Sequence, residues 1–480
     1  FAGFDVHAGN AAFFARRLSQ VTVQPEPTQH RACIAEYRFV GVGRVLKGRV
    51  SQVDRRCQDA YQPTQNSGIV VVDNFGNDGN WDVETLIEGA KARDLMVLNL
   101  RSPQHCDLNH AERAPPSGVE MQKWFKDLPC SVTGVLAYSD PCALPVVEEI
   151  ADLAGLLDRS SARARRDKYA MQVAVGAAGL AAVRHRLAQS TDEVQAFAEA
   201  EGKVVIKPFW GGVGGSYVSL LDYRLAPLQA QAAVEDLLTR CGGYALVQEF
   251  LQGDEYAVDV VAHHGEMAVM SVFRYDRKPL NGAEFVCFSE YVMAVEAGSP
   301  AEAVALYAVD VLAALGVRNG PAHVEVKFTP DRGPVLVEAN CNRFTQLDMS
   351  LEIASKALGY TAVDAFLDAA DSTISAEQWR SRYPLLPPAQ LRTQGGSLHL
   401  HARKAGVYEG CDEKCLAEVM GMATVHKFQP QVKVGDELDK TRGECSKPAV
   451  VGLLSASMES MLRDSRRIFE IEKDLFRIRS

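Results

Sequence analysis

The sequence predicts an α/β protein with three parts: an N-terminal parallel α/β domain, a central region in which strands and turns dominate, and a C-terminal α+β subdomain. Three observations carry this reading. Residues 67 to 100 read as strand, loop, helix, strand, the pattern of a βαβ unit in a parallel sheet. From Lys203 to Thr345, alternating segments recur between clusters of turn residues. After about residue 375 the chain changes to short alternating segments and one long closing helix.

Composition narrows the class. The 480 residues are 47% hydrophobic and 23% charged, as in globular enzymes. A net charge of −10 argues against a nucleic-acid binder that works by neutralising phosphates. No apolar run is long enough to predict a membrane span. The 11 cysteines are scattered and odd in number, which fits free thiols in a reducing, cytoplasmic compartment. Cys411 and Cys415 lie close together, but no second pair completes a zinc site. The chain begins at Phe1 rather than Met, which leaves a targeting peptide open.

The elements follow in order. Residues 1–66 show weak periodicity and are expected to form a poorly defined segment. The N-terminal α/β domain, 67–160, opens with a buried strand, Ile69–Asp73. A glycine-containing loop, Asn74–Gly79, a helix, Trp81–Ala92, and a strand, Leu95–Leu100, follow. Another strand in "VTGVLAY" and a helix from about Cys142 to Leu157 complete it. The Asn74–Gly79 loop lies where open α/β sheets bind ligands, but it lacks GxGxxG spacing; a plain connection is the competing reading. The central region, 161–375, opens with a basic helix start, "SARARRDKYAMQ". In 376–480, "GGSLHLHARKAGVY" and "MATVHKFQPQVKVGDEL" read as antiparallel strands and "ASMESMLRDSRRIFEIEKDLF" as a helix.

The stretch "HVEVKFTPDRGPVLVEANCNR" carries the most chemistry. Two alternating strands flank the turn Pro330–Gly333. With Asp331 and Arg332 as a two-residue loop, Glu325 faces Glu338 and His323 faces Asn340. A bulge at Gly333 would shift that register by one. Like charges opposed on a sheet destabilise it. Either one carboxylate keeps a proton, or a divalent cation joins them. Glu325, Glu338 and Asn340 offer oxygen only, which suits Mg²⁺ or Mn²⁺. A solvated hairpin face is the competing reading. Mg²⁺ usually shares such a site with substrate phosphates.

A phosphate site is present in "KVVIKPFWGGVGGSYVSLL". Lys207 ends a strand, and Gly212, Gly214, Gly215 and Ser216 follow in a flap whose amides and hydroxyl can wrap phosphate oxygens. It is not a P-loop, because the lysine precedes the glycines and a strand follows. In "ALVQEFLQGDEYAVDVV", Gln248 ends a strand. The edge residues Glu249, Phe250 and Leu251 can offer backbone groups to an adenine ring. Glu255 is placed to accept from ribose hydroxyls, although a surface turn acid is the simpler reading.

Taken together and in this order, the pieces resemble the ATP-grasp superfamily over Lys168 to about Arg343, which implies an ATP-grasp fold whose central part is a two-lobed nucleotide-binding α+β region. The resemblance implies that Lys168 and Lys207 are the nucleotide-binding lysines and that Gly212, Gly214, Gly215 and Ser216 form the flap. It implies an adenine hinge at Gln248, Glu249, Phe250 and Leu251, a ribose acid at Glu255, and metal ligands at Glu325, Glu338 and Asn340. The implied cofactors are ATP with Mg²⁺ or Mn²⁺. The implied reaction joins a carboxylate to an amine through an acyl phosphate. "HVEVK" and the N-terminal domain resemble L-amino-acid ligases. In those enzymes an arginine after the metal motif pairs with a substrate carboxylate; here Arg343 stands one position late. His323 is expected on the metal face, as a substrate contact or a structural residue, and Arg274 is a further anion candidate. Small-molecule substrates are expected, with no nucleic acid and no membrane; a homodimer stays open. An ATP-grasp carboxylase, another acyl-phosphate ligase, or a nucleotide-binding protein without catalysis are the alternatives.

Overall fold

The computed structural model describes residues 34–39, 45–46, 67–72, 81–101, 118–137, 144–209, 217–344 and 349–479. The first sheet is built from β1 (Ile34–Phe39), β2 (Val45–Leu46), β3 (Ser67–Val72), β4 (Met96–Arg101) and β5 (Ser131–Ala137). Its order is β2-β1-β4-β3-β5, with β1, β4, β3 and β5 parallel and β2 antiparallel to β1. Two strands before residue 66 therefore join this sheet. The apolar run of β3 is buried along its whole length because both faces are covered. Ile69 and Val71 pack with Leu86 and Ala90 of the helix Trp81–Ala92. Val70 and Val72 pack with Met121, Trp124 and Ile150 of two helices on the opposite face. The Asn74–Gly79 loop lies outside the described residues.

The second sheet is antiparallel: β6 (His185–Ala188), β7 (Val204–Lys207), β8 (Ser219–Leu221) and β9 (Ala245–Glu249), in the order β6-β9-β7-β8. Helices Thr191–Glu201 and Pro227–Arg240 bury Val194, Ala198, Val234 and Leu237 against it.

The remaining strands are β10 (Asp254–His263), β11 (Glu266–Leu280), β12 (Ala283–Val292), β13 (Gly320–Thr329), β14 (Gly333–Cys341), β15 (Gln394–Leu400), β16 (Gly406–Cys411), β17 (Val425–Pro430), β18 (Glu437–Leu438), β19 (Ala449–Ser455) and β20 (Phe476–Arg479). Eight of them form one antiparallel sheet, β14-β13-β10-β11-β12-β15-β19-β17; β18, β16 and β20 form a small one. Alternation divides the two faces of the large sheet. Tyr256, Val258, Ala322, Val324 and Val326 face one way, onto helix Pro300–Ala314 and Met171 of helix Lys168–Ala177. Glu255, Asp259, His323, Glu325 and Lys327 alternate to the other face. The site is built there.

Helices Pro227–Arg240 and Pro300–Ala314 lie between the strands of the central region. The basic helix start is also two helices. Asp167 ends Ala162–Arg166 and caps Lys168–Ala177, accepting from the amides of Tyr169 and Ala170. No helix among the described residues is long and apolar enough to cross a membrane.

Candidate functional site

The β13–β14 hairpin pairs Glu325 with Glu338 and His323 with Asn340. The route to that register differs from the expected one. The loop is not the two residues Asp331 and Arg332: Thr329 pairs with Gly333, leaving three residues between them. Gly333 takes φ +69°, and Thr329 Oγ1 accepts from the Arg332 amide, closing the turn. This shifts the register by one. A bulge in β14, opposite Glu325, shifts it back. Leu336 and Ala339 both reach the apolar core, with two residues between them instead of one. Val337 and Glu338 fill that gap.

Two lysines approach the paired glutamates. Lys168 Nζ lies 2.8 Å from Glu338 Oε1. Its backbone amide donates to Phe209 O at 2.7 Å, tying the first turn of its helix to the root of the flap. Lys207, at the end of β7, is buried, with Nζ 3.5 Å from the carbonyl of the bulge residue Val337. Burial pulls its ammonium down to about 8; Glu338, Glu325 and Glu255 work against this, and Lys168 adds to it.

His323 is fixed rather than free. Its Nδ1 lies 3.0 Å from Asp259 Oδ1, and Ser271 Oγ donates to the other oxygen at 3.0 Å. Its Nε2 lies 3.7 Å from Glu325 Oε1 and 3.5 Å from Tyr275 Oη. Burial opposes its charged form, but Asp259 and Glu325 outweigh that and raise the imidazole to about 9. Glu325 is correspondingly held low: burial opposes its ionisation, and His323, Arg277 and Lys207 overcome it.

Arg274, a sequence candidate for an anion contact, points elsewhere: it is exposed, with Nε 3.8 Å from Asp254. Arg277, three residues later, reaches the site instead. Its Nε donates to Glu255 Oε1 at 2.6 Å, its Nη2 lies 3.9 Å from Glu325, and its guanidinium covers the Tyr275 ring. The pairing with β12 is irregular here: Asp276 pairs with Ser289 and Arg277 with Cys287, leaving Phe288 of β12 as the extra residue. The alternation of Tyr275 and Arg277 was the available signal.

At the hinge, Glu249 is not a sheet-edge residue. β9 lies between β6 and β7, and Glu249 N donates to Arg184 O while Phe250 N donates to Lys203 O. The Glu249 carboxylate is taken by Arg184 and Arg332, at 2.6 and 2.9 Å. Leu251 is buried against Val183 and Val335. Gln248 is buried, and its Nε2 has no hydrogen-bond partner among the described residues. A buried orphan donor beside a hinge fits an incoming ring acceptor. Gly253 follows at φ +146°, where a Cβ would stand 2.1 Å from Phe328 O. Glu255 is buried between Arg277 and Lys327, whose Nζ is 3.4 Å away. Gly212, Gly214, Gly215 and Ser216 lie outside the described residues; β7 and β8 pair as the two arms of the expected flap hairpin.

Beyond β14, Asn342 turns the chain at φ +58° and accepts from the Ala137 amide at 2.8 Å, joining the end of β5 to the site. This left-handed residue directly precedes Arg343. Arg343 is half-buried and makes no ion pair among the described residues. The residues present fit a divalent cation beside phosphates: Glu325, Glu338 and Asn340 supply oxygens, with two lysines adjacent.

Residues 228–350 match the ATP-grasp domain family. Dapdiamide A synthase of Enterobacter agglomerans is 31% identical over 179 residues, 36% of this chain and 42% of that protein. The chain thus matches less than half the length of that curated relative. An L-amino acid ligase from Bacillus licheniformis superposes with a TM-score of 0.66 at 17% identity, over 87% of this chain and 100% of that one. The biotin carboxylase domain of Hydrogenobacter thermophilus 2-oxoglutarate carboxylase, solved with MgADP and bicarbonate, gives 0.59 at 12% identity, over 87% and 91%.

Proposed function

We propose that the protein is an ATP-dependent carboxylate–amine ligase that joins amino acids or related small acids and amines. The observation that carries this is the Glu325–Glu338 pair, flanked by Lys168 and Lys207 and set opposite the Glu255 hinge strand. Similarity to an L-amino acid ligase in fold and to dapdiamide A synthase in sequence supports the substrate class.

In this reading the hinge Gln248, Glu249, Phe250 and Leu251 holds the adenine through Gln248 Nε2 and backbone groups other than the Glu249 and Phe250 amides, and Glu255 holds the ribose. Lys168, Lys207 and the flap hold the phosphates. Glu325, Glu338 and Asn340 would hold Mg²⁺, which supplies charge neutralisation at the phosphates when bound. A substrate carboxylate oxygen attacks the γ-phosphorus and ADP leaves. The amine then attacks the acyl carbon and phosphate leaves, giving the amide. Both steps depend on positioning and charge neutralisation more than on covalent help from the protein. Lys207, buried at the phosphates, neutralises developing charge where solvent screening is weak. Asp259 holds His323 beside Glu325, so the imidazole can orient that carboxylate. Arg343 is the candidate for the carboxylate of the second substrate.

The test is phosphate release from MgATP across an array of amino-acid pairs, with hydroxylamine as surrogate amine. Carboxylate-dependent release with hydroxamate formation is expected. Tight ATP binding with no release and no hydroxamate for any acid would replace the reading with a nucleotide-binding protein.

A further inference from the structure

The polar face of the large sheet continues past the nucleotide side. Across β12 and β15 it carries a second group of side chains that ligation leaves without a role. Cys287 of β12, His399 of β15 and Glu444 of the short helix Glu444–Ser446 converge there. One sulfur, one imidazole nitrogen and one carboxylate oxygen all lie within 4.8 Å of one another. Cys287 and His399 are 5% and 2% exposed. His399 Nδ1 lies 3.2 Å from Glu444 Oε2, and its Nε2 lies 3.5 Å from Glu290 Oε1. Ser350 Oγ donates to that same Glu290 oxygen. His401 Nε2 lies 2.9 Å from the Cys287 carbonyl. Lys447 brings its ammonium 3.0 Å from Glu444 Oε2 and 3.4 Å from His399 Nδ1.

We propose that Cys287, His399 and Glu444 form a binding site for a borderline-soft divalent metal, Zn²⁺ by ligand type. The thiolate, imidazole and carboxylate set is the zinc set, unlike the oxygen-only set at Glu325, Glu338 and Asn340. Ligand atoms around tetrahedral zinc stand roughly 3.3–3.8 Å apart, so a contraction of about 1 Å closes the site. The surroundings match what zinc ligands need. A metal-bound histidine donates its far N–H to a carboxylate, and Glu290 sits at Nε2, itself held by Ser350. Nδ1 is then the ligand atom.

Lys447 and the carboxylates of Glu290 and Glu444 place opposite charges in one buried cluster. Lys447 only has to step aside from Nδ1, and its ammonium marks where the cluster already accommodates positive charge. Such a metal would fasten β12, β15 and the Glu444 segment together. Cys287 stands opposite Arg277 in register, so the site would also brace the arginine that holds Glu255.

The test strips the full-length protein with a chelator and titrates it with Co²⁺. A near-ultraviolet thiolate-to-cobalt band saturating at one equivalent is expected, released by Zn²⁺ but not by millimolar Mg²⁺. Cys287→Ser should abolish the band. Lys447→Met, which removes the competing ammonium, should tighten Co²⁺ binding at least tenfold. No band in the wild type at saturating Co²⁺ overturns the proposal, whatever the variants do. A band that survives in Cys287→Ser overturns it too, because another thiol is then the ligand. None of these readouts requires turnover.

Discussion

In the proposed reading, Lys207 combines a buried ammonium with a task that needs it charged. In the free protein it loses its proton as pH rises through about 8. Phosphate binding favours the charged form. The ATP dissociation constant should therefore stay flat below about pH 7 and rise toward tenfold per pH unit above 8. Lys207→Arg should remove that inflection, because guanidinium stays charged; isothermal titration across pH checks both. His323 works in the opposite direction. Its folded value, about 9, lies above the ordinary value near 6.5. The Asp259–His323 pair then contributes its full stability below about pH 6.5 and loses it as pH passes 9. Asp259→Asn should lower the melting temperature by several degrees at pH 7 and by much less at pH 10, read by thermal denaturation.

Hairpins and connections set where these side chains stand. Two glycines separate backbone strain from collision. At Gly333 a Cβ would meet nothing within 4 Å, so Gly333→Ala costs only the left-handed backbone, about 1 kcal/mol. At Gly253 the Cβ would strike Phe328 O, so Gly253→Ala should cost several times more and weaken ATP binding, because the Leu251–Glu255 connection must move. Denaturant unfolding and nucleotide titration of the pair check this. The same hairpin shows what the sequence makes legible. Facing glutamates could be read from period two and a turn. The three-residue loop and the compensating bulge could not, since each shifts the register by one and together they cancel. Arg277 alternates with Tyr275 in β11, and the extra residue of the irregular pairing there, Phe288, lies in β12. Helix Pro300–Ala314 was readable in principle: Ser299 caps it, Pro300 starts it and Glu302 follows in its first turn. Its nearly all-apolar interior blurs the helical stripe, because the strands it packs against are equally apolar.

Across the molecule, one core joins the N-terminal sheet to the large one. Ile69, Val71 and Leu86 pack with Phe366, Leu367 and Trp379, and these pack in turn with Val261 and Met270. Phe366 is 1% exposed, and its ring lies 3.0 Å from where a Cβ on Gly134 would stand. Phe366→Ala should cost about 3–5 kcal/mol and lower one shared transition rather than splitting it, as calorimetry would show. Connections of this kind make distant parts answer to one another, and the Lys168–Glu338 contact does so at the site itself. Lys168 is held by its amide to the flap root and by its ammonium to the metal-side carboxylate. In the proposed reading, a cation at Glu338 would weaken that carboxylate's hold on Lys168, and a nucleotide at Lys168 would weaken its hold on Glu338. Thermodynamic reciprocity would make the two enhancements equal, so that nucleotide and cation would load as partners in either order.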